Sequence, residues 1–283
     1  PSNTWISTAE AAKETGLKII FCDVNLNDYT ICIQDLKKKI TKKTKLIMPV
    51  HLYGNPANMY QIKKIIKKRN IKIIEDCAQA HGSKINSKHV GTFGDIGAFS
   101  FFPGKNLGCF GDGGAIITNN KKYYEYILRV RNHGALKKYD HKFSGLNSRL
   151  DAIQAGILRI KLKNYKQLLK RRKQLANLYF KKLSKISEIK MFNFPKNRHT
   201  CYHQFVIRTN QRNNLQKFLK KNNISTMIHY PYMLNELKFF EYKKKIINTN
   251  KLGSKILSLP ISEEHSIGEI LYICDKIRYF FKN

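Results

Sequence analysis

Acidic residues are scarce in this chain: its 283 residues hold 19 Asp and Glu against 53 Lys and Arg, a formal net charge of +34. Such an imbalance invites a polyanion-binding reading, because phosphate backbones are held by dense Lys and Arg. The distribution argues otherwise. The cations are 42 Lys and only 11 Arg, they come with abundant Asn and Ile, and they are spread over helical stretches such as QIKKIIKKRN. We therefore expect a solvated basic surface rather than a nucleic-acid site, although so positive a field would also draw in a small diphosphate ligand.

Other absences narrow the class. Cys22, Cys32, Cys77, Cys109, Cys201 and Cys274 include no CxxC pair and no Cys/His metal spacing, so neither a disulfide framework nor a metal site is suggested and the thiols are read as reduced. Apolar runs such as ILSLPI fall far short of the ~20 residues that a membrane span needs, and no signal-peptide pattern opens the chain. The cytoplasm is the expected location. A phosphate-binding P-loop would need Gly at position 99 and Ser or Thr at 106, where this chain has Phe99 and Asn106, and no GxGxxG fingerprint occurs.

What is present is an alternation. From residue 1 to about 120, helical stretches at 4–15, 33–40 and 57–69 separate the short apolar segments KIIFCDV (18–24), KLIMPV (45–50) and IKIIED (71–76), and IGAFSFF (96–102) and GAIIT (114–118) follow. This predicts an α/β fold with a mostly parallel sheet covered on both faces, whose ligands sit at the carboxyl ends of the strands. A long helical region runs from about Asp151 to Leu183. Beyond it YHQFVIR (202–208), a helix at 212–221, STMIHY (225–230) and a closing helix at 266–281 read as a smaller α+β unit. We place the boundary near 162, giving domains 1–162 and 163–283. With 42% hydrophobic residues the chain can bury a sizeable core.

One cation is conspicuous. Between His89 and Asn120 the only Lys or Arg is Lys105, set among Gly and Phe in FSFFPGKNLGCFGDGG. Desolvation penalises an ammonium ion, so a lysine buried there has its neutral, nucleophilic amine favoured, the form that makes Schiff bases with carbonyl substrates and with pyridoxal phosphate (PLP). Such a cofactor needs a fixed anion beside its ring nitrogen, and Asp76, ending an apolar strand, is placed to supply it. Its neighbour Glu75 should face the other way.

Three stretches carry a resemblance: IIEDCAQAHGS (73–83), GTFGDIGAFSFFPGKNLGCFGDGGAIIT (91–118) and GLNSRLDAIQAGILRIKL (145–162). Together with HYP (229–231) and LSLPIS (257–262) they resemble the PLP-dependent nucleotide-sugar aminotransferases of the DegT/DnrJ/StrS family, a branch of fold-type I. The resemblance implies a seven-stranded-type large domain, incomplete at its N-terminus, and a smaller C-terminal domain. Family members carry several dozen residues before the position matched by Pro1, including a Gly-Thr turn that binds the cofactor phosphate.

The resemblance also implies roles. Lys105 matches the lysine that holds PLP covalently and moves the proton, and Asp76 matches the partner of the pyridine nitrogen. Gln79 matches the residue beside the cofactor's phenolic oxygen, Ser100 a phosphate ligand, and Trp5 the aromatic that stacks on the ring. Asn147 matches a residue reaching the phosphate of a second subunit, which implies a homodimer with shared active sites. His81, Arg149, His229 and Tyr230 are candidate substrate contacts. Bland readings compete: a strand-end cap for Asp76, core packing for Trp5, a satisfied structural histidine for His81, ordinary turn and helix-start roles for Asn147 and Arg149.

The reaction so implied moves an amino group from an amino acid, L-glutamate being expected, to a nucleotide-linked keto-sugar, with a lean to dTDP-3-keto-6-deoxyhexoses over C4 substrates. Relatives with histidine in place of the lysine are dehydratases, whereas this chain keeps the lysine. A related PLP lyase, or an inactive basic relative that binds nucleic acid or protein, are the alternatives.

Overall fold

The computed structural model describes residues 1–193 and 195–282. Helices α1 (Ser7–Lys13) and α2 (Ile33–Lys39) precede strand β1 (Leu46–Ile47), and α3 (Met59–Ile66) precedes β2 (Lys72–Asp76). A short hairpin, β3 (Lys84–Ile85) and β4 (Lys88–His89), interrupts the alternation before β5 (Ile96–Ser100) and β6 (Gly114–Ile117). In β2 the period-2 pattern decides the facing: Ile73 and Glu75 are buried, Lys72 is exposed, and Ile74 and Asp76 lie between.

These strands form one sheet in the order β1-β2-β5-β6. The first three are parallel, with Ile47 opposite Ile73 and Asp76 opposite Ala98, and β6 returns antiparallel so that Gly114 faces Ser100. The α/β expectation and the mostly parallel sheet are thus observed. Asp76 and Ser100 both end strands on the carboxyl edge, where parallel sheets receive ligands. Ile47, Met59, Ile62, Ile73 and Phe93 join one buried cluster under this sheet.

The remaining elements are α4 (Lys121–Val130), α5 (Ala152–Leu183), β7 (Lys190–Met191), β8 (Arg198–His199), β9 (Phe205–Arg208), α6 (Arg212–Lys221), α7 (Ile247–Gly253), β10 (Ile256–Leu259) and α8 (Ile267–Lys282). Asp151 starts α5 by accepting a hydrogen bond from the Ile153 N–H at 2.8 Å. Residue 162 falls inside this unbroken 32-residue helix. Its first half sets Leu158 against Leu107 and Cys109, and its second half sends Leu175, Tyr179 and Leu183 into the larger cluster with β9, β10 and α8. Antiparallel strands β10-β9-β7 form the sheet of that half.

Three segments depart from expectation. KIIFCDV is extended, but no strand among the described residues runs beside it. The Cys22 carbonyl accepts from Ser2, the Asp23 carbonyl from Cys32, and Val24 makes a single bridge to Ile31. Phe21, Cys22 and Val24 are buried while Ile20 is 50% exposed, so only the end of the expected strand enters the core. STMIHY likewise forms one bridge, Met227 to Ser258, rather than a strand. Helix α1 is shorter than the expected 4–15 because the chain turns at Gly16, whose φ of 72° is the left-handed conformation that ends helices.

Candidate active site

Lys105 lies in the loop that joins β5 to β6. The loop doubles back so tightly that a Cβ on Gly108 would come within 2.5 Å of the Pro103 carbonyl oxygen, a position that only glycine fills without moving backbone. Lys105 is half-buried, and its amine makes no hydrogen bond or ion pair with any described residue. Burial pulls its pKa below the ordinary lysine value, and the Asp76 carboxylate, near enough to interact, partly offsets that.

Asp76 is held from two sides. The Thr8 hydroxyl donates to Oδ2 at 2.6 Å, and the Ala78 N–H donates to Oδ1 at 3.0 Å. Glu75, one residue earlier, faces away as expected. It accepts from the N–H groups of Gly91, Phe93 and Gly94 at 2.9, 2.7 and 2.6 Å, and meets His51 Nε2 at 3.0 Å. Burial works to raise the Glu75 carboxyl, but His51 and these N–H groups outweigh it and hold the carboxyl below its ordinary value. His51, Glu75 and Cys77 bring three possible metal ligands together. Their atoms are otherwise engaged: His51 Nδ1 accepts from Ala57 at 3.0 Å, and burial pushes the Cys77 thiol well up, keeping it protonated. This cluster ties β2 to the turn before β5.

Gln79 is buried, with Oε1 accepting from the Tyr53 N–H at 2.7 Å and Nε2 donating to the Tyr230 hydroxyl at 3.0 Å. Trp5, 58% exposed, has its ring 5.5 Å from that of Tyr230. The Tyr53 hydroxyl donates to the His229 carbonyl, and His229 Nδ1 lies 2.8 Å from Ser258 Oγ. Ser100 Oγ accepts from the Phe102 N–H at 3.3 Å, which leaves its own proton to donate.

Histidines cluster around the lysine. His81 packs 5.4 Å from Phe99 and 5.9 Å from Phe101, and neither of its ring nitrogens makes a hydrogen bond of normal geometry. Burial, and then the charge of Lys105, lower both His81 and His229 to about 4. His203, which the sequence did not point to, is pushed well below the ordinary value by burial and by Lys105. Its Nδ1 lies 3.0 Å from Asn106 Oδ1, and Asn106 Nδ2 donates to the Cys201 carbonyl. All three rings are therefore neutral at pH 7.

Lys105, Asp76, Gln79, Trp5, His81, His229 and Tyr230 are thus linked by contacts or by charge. Asn147 and Arg149 are not. Both are exposed, Arg149 Nε donates to Asn147 Oδ1 at 3.1 Å, and neither shares a hydrogen bond or ion pair with the cleft residues among the described residues. Thr8, Tyr53, Asn106 and His203 went unnoticed in the sequence. Asn106 stands next to Lys105, and proximity in the chain was the one available signal.

An amine without a hydrogen bond to any described residue, within electrostatic reach of a braced carboxylate at the carboxyl edge of a parallel sheet, suits carbonyl chemistry, and known proteins agree. The chain is 40% identical to a dTDP-3-amino-3,6-dideoxy-alpha-D-galactopyranose transaminase of Aneurinibacillus thermoaerophilus, over 99% of this chain and 77% of that one. It is 38% identical to a UDP-N-acetyl-3-dehydro-alpha-D-glucosamine 3-aminotransferase of Acidithiobacillus ferrooxidans, over 98% of this chain and 76% of that one. The crystal structure of S. venezuelae DesV superposes with a TM-score of 0.96 at 33% identity, covering 100% of this chain and 77% of that one. With the family model matched over residues 1–278, the chain belongs to the DegT/DnrJ/EryC1/StrS aminotransferase family.

Proposed function

We propose that this protein transfers an amino group from an amino acid, L-glutamate being the expected donor, to a nucleotide-linked keto-sugar, with PLP as cofactor. The observation that carries the reading is the Lys105 amine: half-buried, lowered in pKa, without a hydrogen bond or ion pair to any described residue, and within electrostatic reach of the braced Asp76 carboxylate. PLP, when bound, supplies an aldehyde and an electron-withdrawing ring.

The residues fit that group. Lys105 Nζ is the nucleophile and then the proton carrier, because burial shifts it toward its neutral amine. Asp76 would keep a proton on the ring nitrogen, and Thr8 and Ala78 hold its carboxylate in one orientation. Ser100 offers its hydroxyl proton to a phosphate oxygen. Trp5 offers an exposed aromatic face for stacking.

The two relatives above are both named for a nitrogen at sugar C3, which supports a 3-keto-sugar, with dTDP-3-keto-6-deoxyhexoses as the class to try first. Asn147, exposed and without a hydrogen bond to this chain's own site among the described residues, suits donation to a second copy's site in a homodimer. Exposed Phe110, Ile153 and Ile160 supply apolar surface for such a contact.

Purified protein mixed with PLP is expected to turn yellow, lose the band on borohydride treatment and yield a pyridoxyl-modified peptide containing Lys105. The Lys105→Ala variant should gain neither band nor adduct. A wild-type protein that stays colourless at saturating PLP overturns the proposal.

A further inference from the structure

The contacts of Gln79 fix the direction of a hydrogen bond in the cleft. A backbone N–H can only donate, so the 2.7 Å contact from Tyr53 makes Oε1 the accepting end of the Gln79 amide and turns Nε2 toward Tyr230. An amide nitrogen also only donates, so the Tyr230 hydroxyl oxygen is the acceptor of the 3.0 Å bond. Its own proton must then go elsewhere, and no described residue accepts it. Burial pushes this phenol up to about 12, so the proton stays on it across the working pH range. The ring is held by Trp5 at 5.5 Å and by the His229 ring at 5.6 Å, and Tyr53 grips the neighbouring His229 carbonyl. Tyr230 is thus an oriented donor with no acceptor among the described residues, close enough to Asp76 to feel its charge.

We propose that Tyr230 donates this hydrogen bond to the carbonyl oxygen of the keto-sugar, with Gln79 as the positioning residue that turns the proton into the cleft. The inference rests on the aminotransferase reading above. When nitrogen attacks the carbonyl carbon, the C=O electron pair moves onto oxygen, and a fixed O–H donor stabilises the charge that gathers there. The two hydrogens of the attacking amine then leave with that oxygen as water. Tyr230 ends the exchange with its own proton.

The two half-reactions separate this role from others. In PLP-loaded Tyr230→Phe, the cofactor band and its bleaching by L-glutamate should match the wild type. Recovery of the band on adding a dTDP-3-keto-6-deoxyhexose should slow on the order of a hundredfold. Gln79→Glu should slow the same half, because a carboxylate in place of the amide accepts the phenol proton and turns it away from substrate. The double variant should be no slower than the slower single one. Fluorescence of Trp5, the only tryptophan, gives a readout apart from turnover. Titrating a dTDP-hexose without the keto group should give the same midpoint in wild type and Tyr230→Phe. Band recovery at the wild-type rate in Tyr230→Phe overturns the inference. So does a displaced cofactor band, which would put the phenol on the cofactor, and so does a weakened fluorescence titration, which would mean a packing role. A wild-type protein without any band removes the aminotransferase reading along with this one.

Discussion

His81 is where single-residue physics is sharpest. An imidazole buried against Phe99 and Phe101 and near the charge of Lys105 resists protonation, the Ser100 backbone offsetting this only in part, and its pKa falls to about 4 from an ordinary 6.5. Between those values the unfolded chain binds a proton that the folded chain does not. Stability therefore rises with pH through this window and falls as pH drops from about 6.5 to about 4. The shift corresponds to about 3 kcal/mol. Thermal melts from pH 7 to pH 4 should show His81→Phe losing less stability than the wild type, and parallel curves for the two would refute this assignment. No composition or spacing in the sequence separates this histidine from a surface one. The contact that isolates it comes from residues 18 and 20 positions further along the chain.

At the scale of elements, β2 does two jobs with adjacent carboxylates. Its alternation sends Glu75 into the structure and Asp76 toward the cleft, and that much was legible from the period of a strand. What Glu75 meets was not. Its partners His51 and the 91–94 turn come from separate segments, brought together only because β1, β2 and β5 lie side by side in parallel. Glu75→Gln replaces an acceptor-only group by an amide whose nitrogen cannot accept, stranding at least one buried N–H. It should destabilise the fold by about 2 kcal/mol. Chemical denaturation checks this, and a loss below about 0.5 kcal/mol would mean that the cluster does not brace the edge carrying Asp76.

For the whole molecule the excess of 34 positive charges is the dominant field. Self-repulsion among exposed lysines works against the compact state, and salt screens it over a Debye length of about 10 Å at 0.1 M. The melting temperature is expected to rise as NaCl is increased from a few millimolar to about 0.2 M. A fall over that range would mean that attractive pairs such as Arg198–Asp28 outweigh the repulsion. The long α5 illustrates the limit of reading organisation from pattern. Its helical periodicity is plain in the sequence, but Leu158 serves one cluster and Leu175 another, which periodicity does not reveal.

By itself the sequence determined the α/β alternation, the opposite facing of Glu75 and Asp76, and the singular placement of Lys105, because each follows from local period or from the cost of desolvating a charge. Tertiary structure alone decided that KIIFCDV meets no strand among the described residues, that Thr8 braces Asp76, that three neutral histidines lie near the amine, and that Gln79 donates to the Tyr230 hydroxyl. Hydrogen-bond direction and local dielectric are properties of groups distant in the chain and adjacent in space, and no one-dimensional pattern encodes them.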